Sequence, residues 1–238
     1  MDLLKRRQMM LLQEDSAGNL SNYVQDGLIL HLDGKEKGNN AGKWTDVKNG
    51  YQYTNNGATF NSDHVYFDGV NDYLQGSNPS NNAMPLGAAG SGTYGTIEVV
   101  LDFENLNIDA GAVFVPRGNS KIAMYLGSTG SMLYAVDNTS SRNYYYPIST
   151  LQKASWSISS VRQYENGNPM TLSTSKSYFS GVNTNYNLIG KRNNSSTPRF
   201  FKGKIYSIRI YNKQLTQAEV LQNLAVDNAR FNLGLTLT

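Results

Sequence analysis

The sequence predicts an all-β fold, a two-sheet antiparallel jelly-roll sandwich with a short helix near each end. Three observations carry that prediction. Short apolar runs recur with turn signals every 8–12 residues, the spacing of a sandwich or jelly roll. Asn, Ser, Thr, Gly and Tyr replace charge at the surface: 28 of the 238 residues are Asn, while only 16% are charged. Asn and Gly tolerate positive φ, so this composition describes many tight turns. The third observation is the 39% apolar content, which suffices for one core in a chain of this length.

Residues 2–14 read as a short helix. Leu3 with Met10, and Leu4 with Leu11, stand seven apart and fall on one stripe. Three turns are marginal alone and need a partner surface. That stripe is read either as a terminus lying on its own domain or as an assembly segment, with Leu3, Leu4, Met10 and Leu11 as the assembly residues. Ser16-Ala17-Gly18-Asn19 then reads as a linker, dividing a 1–19 helical segment from a 20–238 sandwich domain. The apolar patch Met9–Leu12 is too short for a secretory h-region, and no stretch approaches the ~20 apolar residues of a membrane span. Synthesis in the cytoplasm, with no membrane insertion, is the expectation.

The strands follow. Leu28, Leu30 and Leu32 alternate until Asp33-Gly34 ends the run, and His64–Phe67 closes on Asp68-Gly69 before Tyr73-Leu74. Thr96–Phe103 is longer, with Ile97, Val99, Leu101 and Phe103 on one face and Glu98, Val100 and Asp102 on the other. Further strands are expected at Ala112–Val115, Lys121–Leu126, Ser131–Val136, Ala154–Val161 and Lys204–Tyr211. Thr216-Gln217-Ala218-Glu219 is a capping box, and Leu215 with Val220 forms its hydrophobic staple. The helix it starts is expected to end near Ala225 and to pack Val220, Leu221 and Leu224.

Several classes of chemistry are excluded or weakened. A formal charge of +3 and scattered basic residues, with Lys5-Arg6-Arg7 the densest run, argue against nucleic acid. There is no Cys, and His31 and His64 are the two histidines, so no transition-metal site is expected. No nucleophile elbow and no Gly-rich phosphate loop stands in the sequence. No enzyme is expected and no catalytic residue is assigned.

In order along the chain, these pieces resemble the laminin-G-like jelly-roll domains of the concanavalin-A-like lectin and glucanase superfamily. The residues are Gly27–Asp33, Trp44–Val47, Asn49-Gly50 and Val65-Tyr66-Phe67-Asp68-Gly69-Val70-Asn71-Asp72-Tyr73. Leu188-Ile189-Gly190, Phe201–Asn212 and the Leu215–Glu219 helix start complete the pattern. The superfamily includes glucanases, which place carboxylates as Glu-x-Asp-x-Glu on one strand face. Glu98, Asp102 and Glu104 share a face here, but Val100 breaks the spacing, so they are expected to be solvated charges. The resemblance also raises calcium, with Asp68, Asn71 and Asp72 as oxygen donors. Three turn residues cannot supply its 6–8 oxygens, and Asp-Gly and Asn-Asp are ordinary turn-makers, so no cofactor is expected.

For carbohydrate the candidates are Arg142, Asn143, Tyr144 and Tyr145, since a Tyr face buries against a sugar ring while Asn and Arg donate to hydroxyls. The plainer reading is that three tyrosines open a strand with Tyr145 inward. Asn-rich domains of this kind behind a short helix resemble those of bacteriophage virion proteins, as does the closing Asp227–Phe231 segment. That implies a homo-oligomeric fibre or decoration protein, located in the virion after synthesis in a bacterial host's cytoplasm. It would touch other virion proteins through its N-terminal segment and host-surface glycans through its sandwich. A structural decoration protein without ligand, or a bacterial carbohydrate-binding module, is the alternative.

Overall fold

A computed structural model describes residues 19–38, 42–76, 95–104, 111–115, 124–127, 132–137, 142–147, 153–159, 163–171, 174–176, 188–192 and 199–236. The expected 2–14 helix, with Leu3, Leu4, Met10 and Leu11, lies outside the described residues.

After a 3-10 turn at Leu20–Asn22 come β1 (Leu28–Asp33), β2 (Lys43–Thr45), β3 (Gln52–Asn56), β4 (Thr59–Phe60), β5 (Val65–Asp68) and β6 (Tyr73–Gly76). Next are β7 (Thr96–Phe103), β8 (Gly111–Val115), β9 (Met124–Gly127), β10 (Met132–Asp137) and β11 (Arg142–Pro147). β12 (Lys153–Ser159), β13 (Gln163–Glu165), β14 (Asn168–Pro169), β15 (Thr174–Lys176) and β16 (Leu188–Ile189) follow. The chain closes with β17 (Lys191–Arg192), β18 (Arg199–Phe200), β19 (Lys202–Tyr211) and the helix α1 (Gln217–Phe231).

The strands form two large antiparallel sheets. The eight-stranded sheet runs β14-β13-β12-β7-β19-β5-β4, with β1 also on β19. At ten residues, β19 serves two partners along one edge: Lys202–Ile205 pairs with β5, and Ser207–Tyr211 with β1. The nine-stranded sheet runs β15-β11-β10-β9-β8-β16-β6-β3-β2. Between the sheets lies one apolar core. Leu30, Leu32, Ile97, Val99, Leu101, Phe103 and Trp156 enter from the first sheet, and Trp44, Tyr53, Leu74, Val113 and Ile189 from the second. The alternation expected for Thr96–Phe103 therefore holds on its core side.

Its other side corrects an expectation. Glu98 is not a solvated charge: it is 1% exposed, and Val100 beside it is fully buried. Helix α1 covers that face of the eight-stranded sheet, where Val100 packs with Tyr206, Phe231 and Leu233. Asp102 and Glu104 stay at the rim, with Lys204 and Lys202 at 3.9 and 3.5 Å. The capping box at Thr216 and Glu219 forms as expected. The helix runs on past Ala225 to Phe231 and ends on Asn232 in the left-handed region. Its inward stripe explains the discrepancy. Asn223, Asp227 and Arg230, at helical i, i+4, i+7 spacing, are all buried, so a polar stripe faces the sheet where an apolar one is normally sought. Leu221, expected in the packing face, is half-buried beside the Gly167 turn.

Candidate functional site

The seam between α1 and the eight-stranded sheet holds the densest polar cluster among the described residues. Arg209 on β19 donates from Nε to Glu98 at 3.0 Å and in two-pronged fashion to Asp227 at 2.7 and 2.5 Å. A further bond reaches the Ser207 hydroxyl, and the guanidinium lies 4.4 Å over the Tyr23 ring. Asn223 donates to Glu98 and to the Tyr211 hydroxyl, and accepts from the Val24 amide. Tyr23 donates to Asp227, while Arg230 makes a second two-pronged pair with Asp33. Burial pushes the Glu98 carboxyl up, with Arg209 pulling the other way. Burial opposes charge on Arg209 too, yet Asp227 and Glu98 raise its pKa well above the ordinary value. Each carboxylate is committed to a guanidinium and shut from water, so the seam is a clamp between helix and sheet.

His31 sits at the edge of that clamp. Its ring meets Tyr23 edge-on at 4.7 Å, and its Nε2 lies 3.7 Å from Asp33 without a hydrogen bond. Burial, then Arg209 and Arg230, push its pKa well below 6.5. The unfolded chain takes up a proton near pH 6.5 that the native state refuses. His31's contribution is therefore full above that pH and is lost as the pH falls toward the folded value. Glu98, raised, acts in the opposite sense, its contribution being lost as the pH rises through its folded value. Urea unfolding of wild type and His31→Gln across pH 5–7.5 isolates the histidine. The variant is expected to lack a destabilisation of about 1 kcal/mol per pH unit below 6.5. Parallel profiles would contradict this.

The nine-stranded sheet carries a different pattern. Ile189 pairs with Leu74, and both are core residues. The register carries that inner face to Phe114 and, across the β-bulge between Ala112 and Phe114 that leaves core residue Val113 beside it, through Met124 and Ala135 to Tyr144. One position along, on the opposite face, Tyr125, Tyr134 and Tyr145 are directly paired across β9, β10 and β11, with Ala112 and Thr174 as the flanking partners. Asn143 shares this outer face, paired with Val136 and Lys176. The four sequence candidates thus divide: Asn143 and Tyr145 take outer-face positions, Arg142 and Tyr144 inner-face ones. Their side chains lie outside the described structure. Tyr125 and Tyr134 had no flag in the sequence, because only strand pairing brings them beside Tyr145. On β6 the same outer face holds Tyr73, half-buried, and Gln75, exposed.

Directly after β16 the chain turns at Gly190, whose φ is +81° and where a Cβ would lie 2.6 Å from the Phe67 ring. It then forms the two-stranded β17–β18 hairpin. The Lys191 ammonium stands 4.2 Å over the Tyr73 ring and 5.6 Å from that of Phe200. Of the candidate calcium donors, Asp68 and Asp72 accept backbone amides of their own turn. Asp68 accepts the Val70 and Asn71 amides, which hold its carboxyl below the usual value, and Asp72 accepts the Asp68 amide. Among the described residues, no group of three or more His, Asp or Glu is placed to hold a metal ion.

Comparison with solved structures places this arrangement. A Trypanosoma rangeli sialidase mutant displaying trans-sialidase activity is similar at 12% identity and a TM-score of 0.59, over 95% of this chain and 39% of the sialidase. The structure describing botulinum neurotoxin type C and its two ganglioside molecules is similar at 11% identity and a TM-score of 0.56, over 86% of this chain and 51% of the other. The binding domain of botulinum neurotoxin DC, in complex with rat synaptotagmin II, is similar at 13% identity and a TM-score of 0.58, over 87% and 53%. The chain thus spans about two-fifths to one-half of these proteins' length, and at such identities the likeness is one of fold. No curated protein matches it. The model of the concanavalin A-like lectin/glucanases superfamily, laminin G type, matches residues 90–221, more than half of the chain. With two antiparallel sheets around one core and that match, the chain belongs to the concanavalin A-like lectin/glucanases superfamily.

Proposed function

We propose that this chain is a non-catalytic lectin-like module that binds glycans on the outer face of its nine-stranded sheet. The observation that carries this is the register alignment of Tyr125, Tyr134 and Tyr145, with Asn143 on the same face. Neighbouring strands are spaced by about 4.8 Å, so Tyr125 and Tyr145 stand roughly 10 Å apart. A tyrosine offers an apolar ring face to the C–H groups of a pyranose and a hydroxyl at its rim, while an amide donates to ring hydroxyls. The uncharged chemistry of this row fits a sugar better than it fits a catalytic pair. Structures of similar fold point the same way: one describes Trypanosoma rangeli sialidase in complex with sialic acid, another a toxin dependent on ganglioside molecules.

In the wider setting, the module is displayed as a homo-oligomer on a phage particle, held by residues 1–18. The stripe of Leu3, Leu4, Met10 and Leu11 supports this, and co-purification with particles, lost on deleting that segment, is its test.

An array of immobilised neutral and acidic oligosaccharides tests the glycan reading. Wild type is expected to bind a subset, and Tyr134→Ala to lose roughly five- to tenfold in affinity, the equivalent of about 1 kcal/mol of ring contact. Tyr134→Phe should retain most of the binding. An array with no bound glycan, or a folded Tyr134→Ala variant binding like wild type, would sink the proposal.

A further inference from the structure

We infer that residues 20–25 form a proton-gated latch, which closes over His31 at neutral pH and swings off α1 and the eight-stranded sheet in acid. This goes beyond the glycan-binding reading and does not depend on it.

The latch grips the domain narrowly. The 3-10 turn at Leu20–Asn22 buries none of its residues, and among residues 19–27 Tyr23 and Val24 are the buried ones. Three side chains of α1 hold the segment. Asp227 accepts the Tyr23 hydroxyl at 2.8 Å, Asn223 accepts the Val24 amide at 2.9 Å, and Gln222 donates to the Asn22 carbonyl at 2.9 Å. From β19 the Tyr211 hydroxyl donates to the Val24 carbonyl at 3.2 Å, and Lys48 adds a long exposed bond to Gln25 at 3.4 Å. Opening therefore uncovers one ring and one valine and breaks a few bonds, while every strand stays paired. Segments held in this way lie at the low end of local stability and open without global unfolding.

The latch covers a histidine with an unmet nitrogen. The Tyr23 ring meets His31 edge-on at 4.7 Å, His31 is 1% exposed, and its Nε2 makes no hydrogen bond. The carboxylates around it are committed elsewhere. On β1, Asp33 is taken by Arg230 of α1. Glu98 of β7 and Asp227 of α1 are taken by Arg209 of β19. Asp46 accepts the main-chain amide of His31 itself. A proton on the closed imidazole would thus be a third cation beside Arg209 and Arg230, shut from water.

Lifting Tyr23 removes one wall of that site and admits water to the ring. The open state then takes up a proton that the closed state refuses, so falling pH shifts the balance toward opening. The closed state keeps its full advantage above the pH at which the open-state histidine titrates, and loses it below.

Hydrogen–deuterium exchange of the full chain from pH 7.5 to 4.5, corrected for intrinsic rates, tests this. Protection of residues 20–25, the Val24 amide above all, is expected to fall about tenfold per pH unit once His31 titrates, with β7 and β19 unchanged. His31→Gln should flatten that profile. Tyr23→Phe keeps the ring but loses the Asp227 bond, so it should raise opening about tenfold at every pH without altering the slope. In wild type, NMR of 13C-labelled histidine should show His31 titrating over the range in which residues 20–25 lose protection. Protection that ignores pH, or that falls in step with β7 and β19, would overturn the inference. So would a wild-type slope in His31→Gln, which would assign the acid response to the carboxylates, or a titrating His31 under a latch that stays closed.

Discussion

Replacing Arg209 with Met is expected to destabilise the fold by about 3–5 kcal/mol, the cost of breaking a buried ion pair from one side. Arg209 is 1% exposed and is the common partner of Glu98 and Asp227, which are 1% and 0% exposed. Methionine keeps the length of the stem but leaves two carboxylates without a counter-charge under α1. Asn223 can still donate to Glu98, and Tyr23 to Asp227, but neither bond supplies charge. Combining Arg209→Met with Glu98→Gln and Asp227→Asn should therefore recover a large part of the loss, because no uncompensated charge remains. Urea unfolding of the three proteins measures this directly. A loss below about 1 kcal/mol for the single variant would mean that water reaches the seam.

The second large effect is expected at Trp44. Its side chain is fully buried in the core, and its indole N–H donates at 2.9 Å to the carbonyl of Asp33. Trp44 stands on β2 of the nine-stranded sheet and Asp33 on β1 of the other, so this bond joins the two layers. Trp44→Ala removes one of the largest buried side chains and should cost about 3–5 kcal/mol. Trp44→Phe refills most of the volume and removes only the indole bond, since the Asp33 carbonyl still accepts the Glu36 amide at 3.2 Å, for about 1 kcal/mol. Equal losses for the two variants would place the whole effect in packing and none in the bond.

The core side of the fold was legible in the sequence because it follows ordinary alternation. Ile97, Val99, Leu101 and Phe103 repeat at period two and enter the core together, and Leu30 and Leu32 do the same. The face under α1 was illegible for a physical reason. His31, Asp33, Glu98, Ser207 and Arg209 carry the polar residues expected on a solvated sheet face, and they are buried because α1 presents Asn223, Asp227 and Arg230 to them. The apolar set Val220, Leu224 and Phe231 marks the helix as packed, but the polar residues buried beside it carry no signal of burial in the sequence. Short polar strands were missed likewise: Gln52–Asn56 is strand through its pairing with β2 and β6, not through propensity.

For the proposed glycan face, the sequence drew attention to one strand, β11. Arg142–Tyr146 is contiguous and easily noticed. Register divides such a run between two faces and aligns it with Tyr134 and Tyr125, 11 and 20 residues before Tyr145.

Hydrogen–deuterium exchange of the full chain, with and without a sialylated trisaccharide, tests most directly that the two sheets divide the labour between stability and binding. Ligand-dependent protection is expected in the amides of β9, β10 and β11, with β1 and α1 unchanged. Protection confined to β1 and α1 would contradict the assignment of the glycan to the nine-stranded sheet.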